Sequence, residues 1–192
     1  NHENYTHFEL DVTDEKLVKK MFSTIRKTDG RLDVTINNAG IASMNHSILT
    51  QMDTAKSILE TNVLGSFLLS RESGKLMKKN KFGRIINFTT FAVPFKLEGE
   101  ALYAASKAAV ETLTQVMARE FAEFGITINA VAPPAIQTNL VKGVPSETMN
   151  NLLQRQAIHR FGEPHEVANV IDFYIKPDSE MVTGQTIYMG GL

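Results

Sequence analysis

The chain has 192 residues, of which 43% are hydrophobic, so it can bury one sizeable core and does not require a second domain. Its 20 basic and 21 acidic side chains leave a net charge of -1 without a basic stripe, which argues against nucleic acid as a partner. No apolar run reaches the roughly 20 residues that span a bilayer, and the N-terminus is polar where a signal peptide would be apolar. Cysteine is absent and the five histidines lack metal-ligand spacing, so we predict one cytoplasmic domain over residues 1–192 with no membrane partner and no metal.

The first half of the chain alternates short β-rich runs with longer amphipathic ones. We predict a strand over 5–10, followed by a helix that Thr13 caps. A second predicted strand, over 32–37, leads into the loop Asn38-Ala39-Gly40, where glycine permits a positive φ or a close backbone approach. A long helix is predicted over 53–80, with buried positions at Ile58, Leu59, Val63, Phe67, Leu68 and Met77.

The second half continues the alternation. A predicted strand over 83–90 delivers two threonines, Thr89 and Thr90, at its carboxyl end. A second long helix, Ala101–Phe124, is closed by Gly125 as a left-handed cap, and the next strand, over 126–132, is stopped by two prolines.

The last part of the chain departs from simple alternation. Residues 134–160 are predicted to form a mobile flap over a site, with a small helix near Glu147–Gln156. A helix over 166–174 and a closing strand over 186–189 complete the pattern. The alternation as a whole predicts a doubly wound α/β fold, a parallel sheet with helices on both faces.

Two residues of the second long helix suggest acid–base chemistry. Tyr103 and Lys107 lie four residues apart, a spacing that puts both side chains on one helical face. A phenol titrates near pH 10, and a fixed positive charge beside it favours the phenolate, which brings its proton into the range useful for catalysis. Such a pair can pass a proton to and from a carbonyl. Tyr and Lys at this spacing also occur by chance on solvated helices, so the pair alone leaves that alternative open.

Further motifs surround this pair in a definite order along the chain: Asp11-Val12, Asn37-Asn38-Ala39-Gly40, Asn62 with Gly65, Thr89-Thr90 and Asn129-Ala-Val-Ala-Pro133. With these motifs the sequence resembles the short-chain dehydrogenase/reductase family over essentially its whole length. Within that family it is most similar to the 3-oxoacyl-[acyl-carrier-protein] reductases, through the segments 160–168 and 182–191.

The resemblance implies a set of catalytic residues. Tyr103 would be the acid/base, and Lys107 would lower its pKa and hydrogen-bond the nicotinamide ribose. Asn62 would hold a water that relays protons to solvent, unless it is an ordinary polar helix residue. Thr90 stands where the family usually has Ser, thirteen residues before the tyrosine. Its hydroxyl would polarise the substrate carbonyl and its extra methyl would narrow substrate choice or slow the reaction, the alternative being a plain β-former at a strand end.

The resemblance also implies NADP or NAD as the coenzyme. Asp11 would accept a hydrogen bond from adenine, although an Asp before a helix also has local uses. The loop after the predicted strand 126–132 would meet the nicotinamide carboxamide, with Pro134 changing a turn where the family has Gly. Besides Tyr103 and Lys107, the implied coenzyme-binding residues are Asp11, Val12, Asn38, Ala39, Gly40, Pro133, Ile136 and Thr138.

One family motif has no counterpart in the sequence. None of the 12 glycines forms the Gly-rich turn on which dinucleotide phosphates rest. The first predicted strand corresponds to the family's third, so the opening β-α-β unit is expected to lie outside the chain. The residue that separates NAD from NADP is expected to lie there too, which leaves the coenzyme preference open.

Three functions are compatible with these motifs. The first is an NAD(P)-dependent oxidoreductase that exchanges a hydride with a ketone or secondary alcohol, most like the reduction of a 3-oxoacyl thioester. The second is a catalytically silent, reductase-like assembly or regulatory subunit, and the third is a different reaction on the same scaffold. The resemblance implies a homotetramer or homodimer formed through the two long helices and the C-terminal strand region, with a small carbonyl compound or acyl thioester as the substrate.

Overall fold

The computed structural model describes residues 4–138 and 144–191. Four parallel strands of these segments form one sheet in the order β1-β2-β3-β4. Asn37 pairs with Asn87 and Ala132 pairs with Tyr188, so all four carboxyl ends meet at one edge of the sheet. The strands are β1 Val34–Asn37, β2 Gly83–Phe88, β3 Ile126–Ala132 and β4 Thr186–Tyr188.

Helices cover both faces of the sheet. Helices α3 and α5 pack on one face, α7 packs on the other, and α1 lies against α3. The predicted doubly wound α/β fold is therefore confirmed. None of the helices in the described segments is long and apolar enough to cross a membrane. The helices are α1 Glu15–Thr28, α2 Met52–Leu59, α3 Ser66–Met77, α4 Ala92–Phe95, α5 Ala101–Phe121, α6 Ser146–Arg155 and α7 Pro164–Ile175.

Alternation along β2 explains how the two faces are filled. Ile85 points to one face and belongs to the core formed with Met77 and Met117 of α3 and α5. Ile86 points to the other face and packs with Tyr174 of α7. Successive side chains of a strand lie on opposite faces, so two adjacent isoleucines serve two separate cores.

The predicted strand over 5–10 is wrong. These residues have no strand structure, and most of them are exposed. An extended segment becomes a strand only when a neighbour accepts and donates its main-chain hydrogen bonds. None of the four strands of the described segments pairs with it.

The predicted helix cap at Thr13 is also wrong by one residue. Asp14 Oδ1 accepts hydrogen bonds from the amides of Lys16 and Leu17, at 2.9 and 3.0 Å. The amide and hydroxyl of Thr13 both donate instead to Asp11 Oδ1, each at 2.9 Å. Asp11 therefore forms a local turn before the helix, and the short carboxylate that follows is the cap.

The predicted long helix over 53–80 is interrupted. Between α2 and α3 lies a π-helical turn, Glu60–Gly65, in which Asn62 is fully buried. Such turns insert one residue into a helix and often accompany functional sites. Of the six positions predicted to be buried, Leu59 and Phe67 are 41% and 38% exposed, so this part of the prediction is wrong.

Near the end of the described chain the predictions hold more closely. The strand over 126–132 is found with its predicted bounds, and Gly125 has the left-handed φ of +69°. Thr89 and Thr90 follow β2 instead of ending it. Helix α6 lies within the predicted flap, of which residues 139–143 are outside the described residues.

Candidate active site

A cavity of about 1160 Å³ opens at the carboxyl edge of the sheet, where ligands of parallel α/β folds bind. The ends of β1, β2 and β3, the start of α5 and one side of α6 surround it. Eight of the site residues predicted from sequence line it: Asn38, Gly40, Thr90, Tyr103, Lys107, Pro133, Ile136 and Thr138. Asn62 lies directly behind this wall, and Ala39 is exposed beside it.

Tyr103 and Thr90 meet in the cavity wall. The Thr90 hydroxyl lies close enough to the phenol to affect its pKa, and the amide of Ala92 donates to Thr90 Oγ1 at 3.2 Å. Burial raises the pKa of Tyr103 to about 12, with the Thr90 hydroxyl acting in the opposite direction. The expected lowering of this pKa by the neighbouring lysine is not found. The phenol therefore keeps its proton at neutral pH.

Lys107 is only 4% exposed, and its Nζ donates to the main-chain oxygen of Phe88 at 2.9 Å. Burial lowers the pKa of this lysine to about 8. A Cβ at Gly40 would come within 3.3 Å of Nζ and 3.2 Å of Asn62 Oδ1. The glycine thus keeps open the space beside a buried ammonium group.

Asn62 connects the π-helical turn to both sides of the site. Its amide nitrogen donates to the main-chain oxygen of Ile41 and to Ser106 Oγ, both at 2.9 Å. Its Oδ1 accepts from the amide of Ile41 at 2.9 Å. Ser106 in turn donates to the main-chain oxygen of Tyr103 at 2.7 Å. The extra residue of the π turn therefore places one amide side chain where it fastens the loop after β1 to helix α5.

The cavity beyond the two hydroxyls is largely apolar. Glu100, one turn before Tyr103, is the exception nearest to the phenol, and burial raises the pKa of its carboxyl group. Arg155 closes the far side, where its Nη2 donates to the main-chain oxygen of Phe95 at 2.6 Å and ties α6 to α4. The apolar lining consists of Ile41, Met44, Phe91, Phe95, Leu97, Val144, Met149 and Leu152.

The loop after β3 is held by a residue that sequence reasoning missed. Gln156 is 1% exposed, and its Oε1 accepts from the amide of Ala135 at 3.4 Å. Its Nε2 donates to the main-chain oxygens of Ile158 and Arg160, at 3.4 and 3.3 Å. A buried amide that bonds only main-chain groups fixes loop conformation, so Gln156 sets the path of the segment that carries Pro134.

The structure does not bring Asp11 and Val12 to this cavity. Asp11 is exposed, and its hydrogen bonds with Thr13 lower the pKa of its carboxyl group. Val12 packs against the π turn, where a Cβ at Gly65 would come within 2.9 Å of its Cγ2. A separate cavity of about 470 Å³ borders Val12.

Three residues of the site were not predicted from the sequence, and they differ in whether a sequence pattern could have indicated them. Ser106 and Glu100 lie three residues on either side of Tyr103, so helical spacing places them near it once the helix is predicted. Gln156 gave no such signal, because its partners are main-chain atoms in a loop without periodicity.

A parallel α/β sheet that presents tyrosine, lysine and a hydroxyl at its carboxyl edge defines a nicotinamide-dependent oxidoreductase of alcohol and carbonyl groups. A family model described as enoyl-(acyl carrier protein) reductase matches residues 1–191. The chain belongs to the short-chain dehydrogenase/reductase family.

Three relatives place the chain within this family. The 3-oxoacyl-[acyl-carrier-protein] reductase of Vibrio cholerae is 34% identical over 182 residues, which cover 95% of this chain and 75% of that protein. The reductase of the same name from Synechocystis is 35% identical over 184 residues, covering 95% of this chain and 73% of that protein. The solved structure of ElxO with NADP bound has a TM-score of 0.89 at 34% identity, covering 97% of this chain and 77% of the ElxO chain.

Proposed function

We propose that the chain reduces the ketone of a 3-oxoacyl thioester, or a similar carbonyl compound, with NADPH or NADH. The observation that carries this proposal is that Thr90, Tyr103 and the buried Lys107 line the wall of one mostly apolar cavity. The names of the two reductases and the NADP bound to ElxO support it.

Each catalytic residue has a distinct part in this proposal. The hydroxyls of Thr90 and Tyr103 bind the carbonyl oxygen, and Tyr103 transfers its proton to that oxygen as the carbon becomes tetrahedral. The bound coenzyme supplies the hydride. The ammonium of Lys107 would donate hydrogen bonds to the coenzyme ribose, and Asn62 fixes helix α5 and the loop after β1 around the reacting atoms.

The residues present fit the nicotinamide end of a coenzyme. An ammonium group has three protons to donate, and within the described segments the Nζ of Lys107 has one acceptor, the oxygen of Phe88. Two donors are therefore free for the ribose hydroxyls, in the space that Gly40 leaves open. The segment 133–138 would border the carboxamide, and Asp11 with Val12 would face the adenine.

The walls of the cavity suggest the class of substrate. The apolar lining between α4 and α6 suits an acyl chain.

One exposed apolar surface suggests how copies of the chain assemble. It is formed by side chains of α2, the π turn, α3 and α5 that are 41%, 59%, 38% and 49% exposed, respectively: Leu59, Leu64, Phe67 and Val116. Burial of these side chains between copies would favour a homodimer or homotetramer. A cytoplasmic location completes the proposal.

A titration and an activity assay test this function together. Fluorescence titration with NADPH and NADH separately is expected to show saturable binding, and an acetoacetyl thioester is expected to be reduced at the ketone. A crotonyl thioester, which offers a C=C bond in place of the ketone, is the matched control and should not be reduced. Binding of neither coenzyme would instead favour a silent assembly subunit, and reduction of the crotonyl thioester alone would favour enoyl reduction.

The rate of reduction is expected to fall at alkaline pH. Reduction requires a protonated Tyr103 and a charged Lys107, whose pKa values are about 12 and about 8. As the pH rises through about 8 the ammonium loses its proton while the phenol keeps its own, so kcat/KM should decline about tenfold for each further pH unit. A pH profile from about 6 to about 10 checks this. A profile flat to pH 10 would exclude the Lys107 charge from the reaction.

A further inference from the structure

Glu111 connects three elements at the carboxyl edge of the sheet without touching the cavity. It lies on α5, four residues after Lys107 and eight after Tyr103, and it is not among the residues that line the cavity. One carboxylate oxygen, Oε1, accepts hydrogen bonds from Thr89 Oγ1 at 2.6 Å and from the hydroxyl of Tyr188 at 2.7 Å. A single oxygen thus fastens α5 to the end of β2 and to the end of β4.

The bond to Thr89 joins the helix to the residue beside Thr90. Thr89 is 3% exposed, and its amide donates to the main-chain oxygen of Val131 at 2.9 Å, so it is fixed to the sheet. Its hydroxyl also lies 3.4 Å from the main-chain oxygen of Lys107 on the preceding turn of α5. Hydroxyl-to-carboxylate bonds of 2.5 to 2.7 Å are about twice as strong as neutral ones, so Glu111 is the dominant acceptor.

These contacts tie α5 to the end of β2. Glu111 bonds the hydroxyl of Thr89, and Lys107, one turn earlier on α5, donates to the main-chain oxygen of Phe88. The residue after Thr89 is Thr90, whose hydroxyl acts on the phenol of Tyr103 on the same helix. The separation of the two hydroxyls that face the carbonyl therefore depends on an acceptor outside the cavity.

We propose that Glu111 is a positioning residue, which sets the distance between the Thr90 and Tyr103 hydroxyls through its hydrogen bond to Thr89. This role rests on the proposed function, because those hydroxyls are the groups that bind the substrate carbonyl there. Glu111 itself contacts neither substrate nor coenzyme. Misplacement of reacting groups by about 1 Å can cost on the order of 100-fold in rate, so a lost acceptor should be visible in kcat.

Two substitutions at position 111 separate the acceptor from the charge. Glu111→Leu removes the acceptor, and we expect kcat to fall by a factor of about 10 to 100 with the coenzyme KM unchanged within about twofold. Glu111→Gln keeps an oxygen that can accept from both hydroxyls, and should retain kcat within about threefold. Equal losses in the two variants, or a wild-type kcat in Glu111→Leu, would overturn the proposal.

Thr89 and Tyr188 both donate to Glu111 Oε1, so removing each hydroxyl in turn gives two matched variants. Thr89→Val removes the bond next to Thr90 with little change in shape, and should lose as much kcat as Glu111→Leu. Tyr188→Phe removes the other bond, and should remain within about threefold of the wild type. The double variant Thr89→Val/Glu111→Leu should be no slower than either single variant. A loss shared by Tyr188→Phe, or additive losses in the double variant, would indicate general loosening of the fold.

The geometry has a readout that needs no turnover. In the chain labelled with ¹³C at tyrosine Cζ, the Tyr103 resonance reports the surroundings of the phenol, including the Thr90 hydroxyl. Glu111→Leu and Thr89→Val are expected to shift this resonance, whereas Tyr188→Phe should leave it in place. An inactive wild type with these shifts would overturn the proposed function and keep the positioning role. If the wild type is active but the Tyr103 resonance is unmoved in Glu111→Leu and Thr89→Val, the proposed function is kept and the positioning role of Glu111 is overturned.

Discussion

Tyr103→Phe is expected to lower kcat for carbonyl reduction by a factor of about 1000 or more. The phenol, with a pKa raised to about 12 by burial, is the group that donates the proton in the proposed reaction. A positioned general acid contributes about 100- to 10,000-fold in rate, and this hydroxyl also binds the carbonyl oxygen together with Thr90. The ring itself remains, so α5 should pack as before, and steady-state oxidation of NADPH with an acetoacetyl thioester measures the loss.

Controls distinguish a chemical effect from unfolding. Coenzyme affinity in Tyr103→Phe should stay within about threefold of the wild type, because the ammonium of Lys107 keeps its place. Tyr5→Phe is a matched variant at a tyrosine that is 69% exposed, and its kcat should not change. Unchanged turnover in Tyr103→Phe would remove this tyrosine from the reaction, and an equal loss in both variants would point to the protein preparation.

The sequence was sufficient where local chemistry decides the structure. The run 126–132 lies between a glycine and two prolines, and the glycine takes the left-handed conformation that its position requires. Tyr103 and Lys107 are on the same helix at a fixed spacing, so their common placement followed from one correct helix. Periodicity and turn residues are local signals, and they do not depend on distant contacts.

The sequence was insufficient where distant parts of the chain decide. The segment 5–10 has the composition of a strand, but a strand exists only through its neighbours. The π turn at Asn62 is stabilised by Ile41 and Ser106, which lie 21 and 44 residues away along the chain. Periodicity predicts a continuous helix there, because the contacts that favour an extra residue in the turn are not adjacent in sequence.

The direction of the Tyr103 pKa shift also could not be predicted from the sequence. Sequence spacing suggests that Lys107 lowers this pKa, since one turn of helix separates the two residues. In the fold, the ammonium is directed to the oxygen of Phe88, and burial dominates for the phenol. Desolvation depends on everything packed around a group, and helical spacing carries no information about it.

Lys107→Met is the second substitution with a large expected effect, a loss of about 100-fold or more in kcat/KM. The variant removes the charged donors proposed to bind the ribose, so coenzyme affinity should fall along with kcat. Because Lys107 would then no longer titrate near pH 8, the residual activity should lose the alkaline decline expected of the wild type. Activity between about pH 6 and about pH 10, together with NADPH titrations, checks both effects.

We expect Lys107→Met to lose activity without losing stability against unfolding. Folding lowers the pKa of Lys107 from 10.5 to about 8, so the folded state is penalised for keeping the ammonium charged. The penalty is complete below about pH 8, where it amounts to about 3 kcal/mol, and it disappears as the pH approaches 10.5. Methionine avoids it but leaves the Phe88 oxygen without this donor, which costs about 1 to 3 kcal/mol.

These opposing effects predict that Lys107→Met is as stable as the wild type at pH 7, or more stable by up to about 2 kcal/mol. Urea unfolding at pH 7 measures the difference, with Lys79→Met as the matched control at an exposed lysine. A residue kept for packing would instead lose stability together with activity. Marked destabilisation of Lys107→Met would therefore assign the buried lysine to the fold, whereas a stable, inactive variant would assign it to the reaction.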